Sequence, residues 1–472
     1  MKRKLLFLTT IILSFVCVLS GCRVEITATY DAVIFGSGVS SLTAALNLNE
    51  QGKRVLIVEE SGIVGGNKRL ISDGISYLNT DGNDTEEQFI EDITENNGST
   101  NFFTETLVKR SKEIPTWLQK YNIQLDKTIK LPGHNVARTL VSTKGVHTGK
   151  EVVTKLESAI KENKIEVNYN SKITKIITEK KNMYQVTIEQ PSSVINVNAK
   201  TVVFGEDDSV AYDAIMPITN KSQLEEKNFS AQIPMSTGME LLNTLNADYS
   251  KTGNLNIIDT YNTSSAQKIS PILRSYGAML INKSGERFVN EMSDTPTIIE
   301  SILAQEDQVA YLVYDDVIDS QLSFLNEYYK DSTVLTTNSV NTLATSLKMT
   351  DETLRSTITK YHHMIMNKED TDFNRSFDVD SKTFEGITTG QGTYFVSKIT
   401  PVTTAFSSYA EITDKFEVMR KGIALPGIYA IGDSAKDVRL NDMLHGTELT
   451  FNIVMGTVAS EFLLEYLNTN EL

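Results

Sequence analysis

The stretch from residue 30 to residue 74 constrains the fold more than any other part of this 472-residue chain. An apolar run at residues 32–35 leads into Gly36-Ser-Gly-Val-Ser-Ser41, a helix-like segment follows, and a second apolar run at residues 55–58 ends at Glu59. This is the spacing of a strand, a glycine turn, a helix and a parallel strand. It predicts a doubly wound α/β fold with a dinucleotide site.

Each part of this pattern has a chemical role. Glycines allow a tight turn in which the backbone approaches a pyrophosphate, and the N-terminus of the helix faces that anion with free N–H groups. A carboxylate at the end of the second strand can accept hydrogen bonds from a ribose. The predicted contacts of the nucleotide are Gly36, Ser37, Gly38, Ser41 and Glu59. A glycine pattern alone is weak, but here the strand, the spacing, the helix and the acid agree.

The identity of the cofactor follows from the next loop. Gly62-Ile-Val-Gly-Gly-Asn-Lys-Arg-Leu70 and Ser72-Asp-Gly74 resemble the flavin-wrapping loop of FAD-dependent oxidoreductases of the fumarate reductase/flavocytochrome c type. Segments at 274–291, 310–316 and 426–433 extend this resemblance over nearly the whole chain after Tyr30. It implies FAD as the cofactor, with further contacts from Gly66, Asn67, Gly74, Ile173, Asp433 and Leu449.

The resemblance also implies a division into domains. We expect a Rossmann-like FAD-binding domain formed by residues 30–230 and 376–472, with an α+β capping domain at 231–375 inserted between its two parts. Such a cap closes over the substrate and excludes water from the reduced flavin. The predicted fold is therefore α/β with an inserted cap.

The N-terminal residues have the layout of an export signal. Lys2, Arg3 and Lys4 precede an apolar run at 5–19, which is short for a membrane span and ends in Leu19-Ser-Gly-Cys22. This ending resembles the bacterial lipobox, which implies a signal peptide at 1–21, a lipid on Cys22, and a tether at 22–29. The alternative is a plain N-terminal anchor helix. We expect a lipid-anchored protein on the outer face of the cell membrane.

Charge and histidine spacing exclude several classes of partner. The formal net charge is −15, so the surface repels nucleic acid and anionic lipid, and the acyl chains would hold the protein at the membrane. The five histidines show no metal-ligand spacing, and we expect His362 and His363 to lie solvated on a polar helix. We therefore expect neither a metal site nor binding to nucleic acid.

The resemblance implies a reaction. In such reductases a hydride passes from the flavin to one alkene carbon of an unsaturated carboxylate, and an arginine, here aligned with Arg274, protonates the other carbon. From the residues alone, Arg274 can also clamp a carboxylate or form a structural ion pair with an acid such as Glu291. Arg439 is a shifted candidate for a second carboxylate clamp.

Other substrate-binding motifs of the resembled enzymes are replaced. A His-Pro-Thr segment is replaced by residues 259–262, and a histidine expected after Pro401 is absent from residues 402–406. The sequence has no second fingerprint for NAD(P)H, so electrons must come from a separate donor or from the substrate. Two alternatives therefore stay open: an FAD dehydrogenase or oxidase of a different substrate, and a non-catalytic flavin-binding lipoprotein.

Overall fold

The computed structural model describes most of the chain after the N-terminal segment. The described residues are 26–97, 100–144, 147–180, 182–205, 215–219, 236–250, 255–331, 334–405, 409–435 and 444–470. The predicted lipid-bearing Cys22 and the candidate clamp Arg439 lie outside these ranges.

In the described residues, the strands form two large sheets and two small ones. Their bounds are β1 Ile26–Phe35, β2 Val55–Val58, β3 Ile75–Ser76, β4 Lys127–Ile129, β5 Thr139–Val141, β6 Glu166–Asn168, β7 Lys172–Lys180, β8 Met183–Gln190, β9 Ser193–Phe204, β10 Ile215–Pro217, β11 Tyr249–Ser250, β12 Leu255–Asn262, β13 Gln267–Lys268, β14 Met279–Ile281, β15 Ala310–Asp315, β16 Leu335–Thr337, β17 Tyr394–Ala405, β18 Tyr409–Ala410, β19 Glu417–Arg420 and β20 Ile423–Ala430.

Helices cover the sheets and connect their strands. Their bounds are α1 Val39–Glu50, α2 Glu86–Asn97, α3 Phe102–Ser111, α4 Ile114–Lys120, α5 Thr148–Glu162, α6 Thr237–Thr244, α7 Ile272–Ser275, α8 Thr295–Leu303, α9 Asp316–Gln321, α10 Val340–Leu347, α11 Asp351–Asn367, α12 Gly386–Thr389 and α13 Thr447–Thr469. In the described part of the chain, no helix is both long and apolar enough to cross a membrane.

The first large sheet is the predicted doubly wound one. Its strand order is β19-β20-β9-β1-β2-β6, and the pairs β20–β9, β9–β1, β1–β2 and β2–β6 are parallel. Residues 32–35 and 55–58 are fully or almost fully buried, as expected for strands covered on both faces. The predicted strands and the α/β fold are confirmed.

The second large sheet has the order β13-β12-β17-β15-β14, with β10 and β16 also paired to β17. Side chains alternate between two apolar clusters, because successive residues of a strand point to opposite faces. Leu312 and Tyr314 pack on one face together with α8, whereas Val313 packs on the other face together with α11. Strand Tyr394–Ala405 thus belongs to this sheet, beyond the predicted cap boundary at 375. The division into domains itself stays a prediction.

One helix differs from its predicted environment. His362 lies in α11 and is 5% exposed, with Nδ1 2.8 Å from the carbonyl oxygen of Thr383. The prediction that His362 is solvated is wrong, because the buried face of α11 extends from Tyr361 across the neighbouring histidine. His363, on the other side, is exposed as expected.

Candidate active site

The nucleotide end of the site is a turn between β1 and α1. Gly36 has a φ of +89°, a conformation that favours glycine, and its N–H donates to the carbonyl of Val58 at 2.8 Å. Gly38 is the N-cap of α1, and no side chain of the described residues caps this helix. The positive end of the α1 dipole is therefore open to an anion.

Glu59 and Ser37 meet beside this turn. The hydroxyl of Ser37 donates to the Glu59 carboxylate, which also accepts the N–H of Ser61 at 2.8 Å. The N–H of Ser171 donates to the Glu59 carbonyl at 2.9 Å and so brings the start of β7, with the buried Ile173, close to this acid. The carboxylate thus lies where the fingerprint predicts a ribose contact.

The turn is held by a close contact between α1 and the residue that follows β9. Ser41 is fully buried in α1 and donates its hydroxyl to the carbonyl oxygen of Gly205 at 2.9 Å. A Cβ at Gly205 would lie 2.1 Å from Ser41 Oγ, so a larger residue at this position would displace that hydroxyl and break its hydrogen bond. Ser41 therefore fixes the position of the turn.

The predicted flavin loop lies against the start of the last helix. Gly66 and Gly74 both have positive φ angles, of 43° and 85°, and Asn67 follows Gly66 in a short 3-10 turn. The N–H of Ser76 donates to the carbonyl of Gly446 at 2.8 Å, just before α13 begins. Leu449 is fully buried in the first turn of that helix. The loop and the helix are thus adjacent, as the resemblance implies.

Asp433 lies in an ion-paired group at this junction. Its carboxylate is 3.1 Å from Nζ of Lys68, which also lies 2.8 Å from the Glu448 carboxylate. Lys68 stands in the flavin loop, Asp433 follows β20, and Glu448 lies in α13. This group ties together the three segments that are predicted to contact the flavin.

A second buried cluster lies around His445, the residue that precedes Gly446. His445 Nε2 is 3.2 Å from the Asp259 carboxylate and 3.1 Å from Nη2 of Arg274, and Asp259 and Arg274 pair with each other at 2.5 Å. On the other side of the ring, Nδ1 is 3.5 Å from the carboxylate of Asp73, which pairs with Nζ of Lys268 at 2.6 Å. The cluster joins the flavin loop, the second sheet and the start of α13.

Electrostatics fix the charges in this cluster. Burial disfavours ionisation of Asp259, but Arg274 and His445 outweigh it and hold the pKa of Asp259 well below its usual range. In the same way, burial opposes a proton on His445, whereas Asp259 and Asp73 raise the pKa of the imidazole above its ordinary value. Carboxylates on both sides thus stabilise the imidazolium.

Arg274 is completely buried and only partly satisfied. Its Nη2 binds Asp259, but Nε and Nη1 have no hydrogen-bond partner among the residues that the structure describes. The alternative of an ion pair with an acid such as Glu291 is therefore confirmed in kind, with Asp259 as the acid. Glu291 itself pairs with Arg287 at 2.8 Å and with Arg375 at 3.0 Å. Two nitrogens of the buried guanidinium therefore lack an acceptor among the described residues.

These features fit FAD. The open N-terminus of α1, the close approach at Gly205 and the carboxylate of Glu59 suit a pyrophosphate and a ribose. A family profile described as an FAD binding domain matches residues 31–449. The chain belongs to this FAD-binding family.

Known relatives extend over almost all of this FAD-binding protein. A fumarate reductase (cytochrome) of Shewanella frigidimarina is 25% identical over 467 residues, which cover 94% of this chain and 78% of the relative. An NADH:fumarate oxidoreductase of Klebsiella pneumoniae is 24% identical and matches 91% of this chain and 47% of the relative. A urocanate reductase of Eggerthella lenta is 22% identical and matches 92% and 74%, respectively. The chain is an FAD-dependent oxidoreductase related to fumarate reductases.

Solved structures agree on the fold. The open conformation of a flavocytochrome c3 fumarate reductase matches with a TM-score of 0.65 at 21% identity, over 94% of this chain and 79% of that one. A 3-ketosteroid delta1-dehydrogenase from Sterolibacterium denitrificans matches with a TM-score of 0.61 at 13% identity, over 94% and 100%. The predicted Rossmann-like FAD-binding fold is confirmed.

Sequence reasoning missed much of the cluster around Arg274. The sequence indicated His445 only as the start of the last helix, and Asp73 and Lys268 had no predicted role. The acid Asp73 in the flavin loop could have been noticed from the sequence. Its partners Lys268 and His445, however, lie far away along the chain. The predicted individual contacts with FAD and substrate stay predictions.

Proposed function

We propose that the protein reduces a small unsaturated carboxylate, with Arg274 binding an oxygen of the substrate. Bound and reduced, FAD supplies a hydride for one carbon of the double bond. The observation that carries the proposal is that Nε and Nη1 of Arg274 have no acceptor in the described part of the chain. A buried donor without an acceptor costs about 1–3 kcal/mol, and a ligand oxygen would remove that cost. Relatives named for fumarate and urocanate support this substrate class.

We also propose a role for Asp259, the acid that pairs with Arg274. Asp259 holds the guanidinium in place through Nη2 and leaves Nε and Nη1 for a ligand. Because Asp259 also compensates the charge of Arg274, a second carboxylate on the substrate needs another cation. Arg439, outside the described residues, is our candidate for that second clamp.

Membrane attachment and electron supply complete the proposal. We propose that a lipid on Cys22 anchors the protein on the outer face of the membrane and that a separate donor reduces the flavin. Replacing Cys22 with Ala should release the protein into the medium. Retention of this variant at the membrane would contradict the lipid anchor.

The test uses the soluble form that begins after Cys22, loaded with FAD and kept without oxygen. Reduced methyl viologen is added, followed by fumarate, urocanate or the saturated acid succinate. We expect one of the unsaturated acids to oxidise the dye and succinate to have no effect. If no unsaturated acid does so, and a saturated substrate releases peroxide in air, the enzyme works as a dehydrogenase or oxidase instead.

Variants of Arg274 test its role. Arg274→Ala should lower the rate with the active acid at least about a hundredfold, because removing a group that acts on the reacting substrate commonly costs this much. Arg274→Lys keeps the charge but not the guanidinium geometry, and should recover only part of the rate. Arg110→Ala is the matched control, since Arg110 forms ion pairs with Glu113 and Glu461 on the surface. Unimpaired turnover in Arg274→Ala would refute the role of Arg274.

A further inference from the structure

The imidazole of His445 is a buried titratable group for which the proposed substrate contact gives no role. The ring is 5% exposed and lies between the carboxylates of Asp73 and Asp259, beside Arg274. Two acids flank one imidazole, so the ring has a partner on each nitrogen. This arrangement stabilises an imidazolium in a site from which water is largely excluded.

The surroundings of Nε2 suit two protonation states. Asp259 can only accept, at 3.2 Å, and Arg274 Nη2 can only donate, at 3.1 Å, whereas the Thr295 hydroxyl at 3.3 Å can do either. A proton on Nε2 therefore has an acceptor, and a lone pair on Nε2 has a donor. The ring can lose its Nε2 proton without leaving a buried polar atom unpaired.

We propose that His445 carries the proton that the reduction consumes. This inference rests on the proposed function. Bound, reduced FAD would supply the hydride, with its two electrons, that forms a C–H bond at one carbon of the double bond. As the π bond breaks, the other carbon would take the proton from Nε2 of His445. The imidazolium would become a neutral imidazole, and water would later return a proton to it.

An imidazole suits this role better than the guanidinium beside it. Arginine hardly ever releases its proton, whereas histidine exchanges one near neutral pH. Arg274 is also held by its ion pair with Asp259. We therefore assign substrate binding to Arg274 and proton transfer to His445.

Charged and polar groups reach His445 from every element packed around it, and they set its pKa. Those that raise its pKa are Asp73 from the flavin loop and Asp259 from β12. The others nearby are Lys268 from β13, Arg274 from α7, Thr295 from α8, His134 from the loop before β5, which contacts the His445 carbonyl, and Glu448 from α13, which acts on Lys268. Burial disfavours the imidazolium, but the acids outweigh it and raise its pKa. The pKa of the His445 imidazole thus lies above its ordinary value.

A purely structural role for the side chain makes different predictions. The backbone of His445 already fixes the loop, since its carbonyl lies 2.7 Å from Nε2 of His134 and 3.4 Å from Oγ of Ser76. These contacts do not depend on the His445 ring. His445→Gln should therefore keep the loop and lose the titratable proton.

The first measurement is direct. The full soluble chain is labelled with ¹³C at its histidines and loaded with FAD, and NMR follows the histidine resonances as the pH is changed. The resonance of His445 is identified among those of the five histidines by its absence in His445→Gln. We expect a midpoint above the ordinary value of about 6.5, and Asp259→Asn should lower it by about one unit or more. A midpoint at or below 6.5 in the wild type would overturn the proposal.

The second measurement follows the two half-reactions. In His445→Gln, reduced methyl viologen should reduce the flavin at the wild-type rate, but reoxidation by the active acid should slow about a hundredfold or more. The fall of kcat/KM at alkaline pH that we expect in the wild type should disappear in His445→Gln. His362→Asn is the control, since it replaces a buried histidine of α11 that bonds the Thr383 carbonyl.

The outcomes separate the two proposals. If His445→Gln keeps the wild-type rate and alkaline limb, His445 does not supply the proton, although the reductase function stands. If the wild type reduces no unsaturated acid, the proposed function fails. The NMR titration would still be informative, because a raised His445 midpoint that falls in Asp259→Asn would show that Asp73 and Asp259 hold a proton on this ring.

Discussion

Replacing Gly456 with Ala should weaken FAD binding through a contact between two helices. A Cβ at Gly456 would lie 2.5 Å from the carbonyl oxygen and 2.9 Å from Cα of Ser40, which is in the first turn of α1. Normal contacts between such atoms are about 3.5–4.0 Å, so the helices must separate by roughly 1 Å. Because the obstacle is backbone, no side-chain rotation can relieve it.

The magnitude follows from two opposing effects. Overpacking costs about 1–3 kcal/mol, whereas Ala in a helix is about 1 kcal/mol more favourable than Gly. We expect the net loss in stability to be about 0–2 kcal/mol. The shift of α1 also moves the N–H groups at the phosphate turn, and the loss of one such hydrogen bond, about 1–2 kcal/mol, weakens FAD binding about tenfold.

The assay is titration of the FAD-free protein with FAD, followed by flavin fluorescence, together with urea unfolding. Thr457→Ala is the matched control, because this half-exposed neighbour in α13 tests helix propensity without the close contact. Gly456→Val should have a larger effect than Gly456→Ala. If Gly456→Ala binds FAD as tightly as the wild type and is more stable, as helix propensity alone predicts, the reasoning is refuted.

Three further predictions concern buried charge and the nucleotide site. Arg138 is completely buried and pairs with Asp84 at 2.7 Å and with Asp92. Arg138→Met should therefore lower the free energy of unfolding, measured in urea, by about 3–5 kcal/mol. An unchanged midpoint of urea unfolding would contradict this. Glu59→Gln should weaken FAD binding about tenfold in the same titration, since the amide is a poorer acceptor for a ribose, whereas equal affinity would show that no ribose binds there. Burial, and then Arg138, lower the pKa of His134 to about 3, so the folded chain keeps this ring neutral while the unfolded chain protonates it near pH 6.5. The free energy of unfolding should therefore fall as the pH falls from about 6.5 towards 3. In urea unfolding at a series of pH values, His134→Asn should remove part of that slope.

The sequence predicts the nucleotide half of the site well because that half is local. The turn at Gly36, the helix after it and the acid Glu59 lie within about one supersecondary unit, whose spacing is set by backbone geometry. The cluster around His445 depends on long-range packing instead. Asp259 and His445 are separated by 186 positions, and no periodicity links them.

Two further differences between the predictions from sequence and the structure also arise from long-range packing. His362 is buried because another segment, at Thr383, covers the edge of the apolar face of α11, and a helical pattern alone does not show this. Strand Tyr394–Ala405 joins the second sheet through pairing with β12 and β15, which lie 79 or more positions earlier. Local patterns predict elements and their local turns, but the partners of an element depend on the whole chain.

The contact between α1 and α13 also has a consequence for the order of assembly during synthesis. Ser40 donates its hydroxyl to the side-chain amide oxygen of Asn452, 412 positions later, at 2.8 Å. The phosphate turn is among the first elements to leave the ribosome, yet the helix that supports it is the last. We expect nascent chains that stop before residue 447 to remain unable to retain FAD, so cofactor uptake would follow completion of the whole polypeptide.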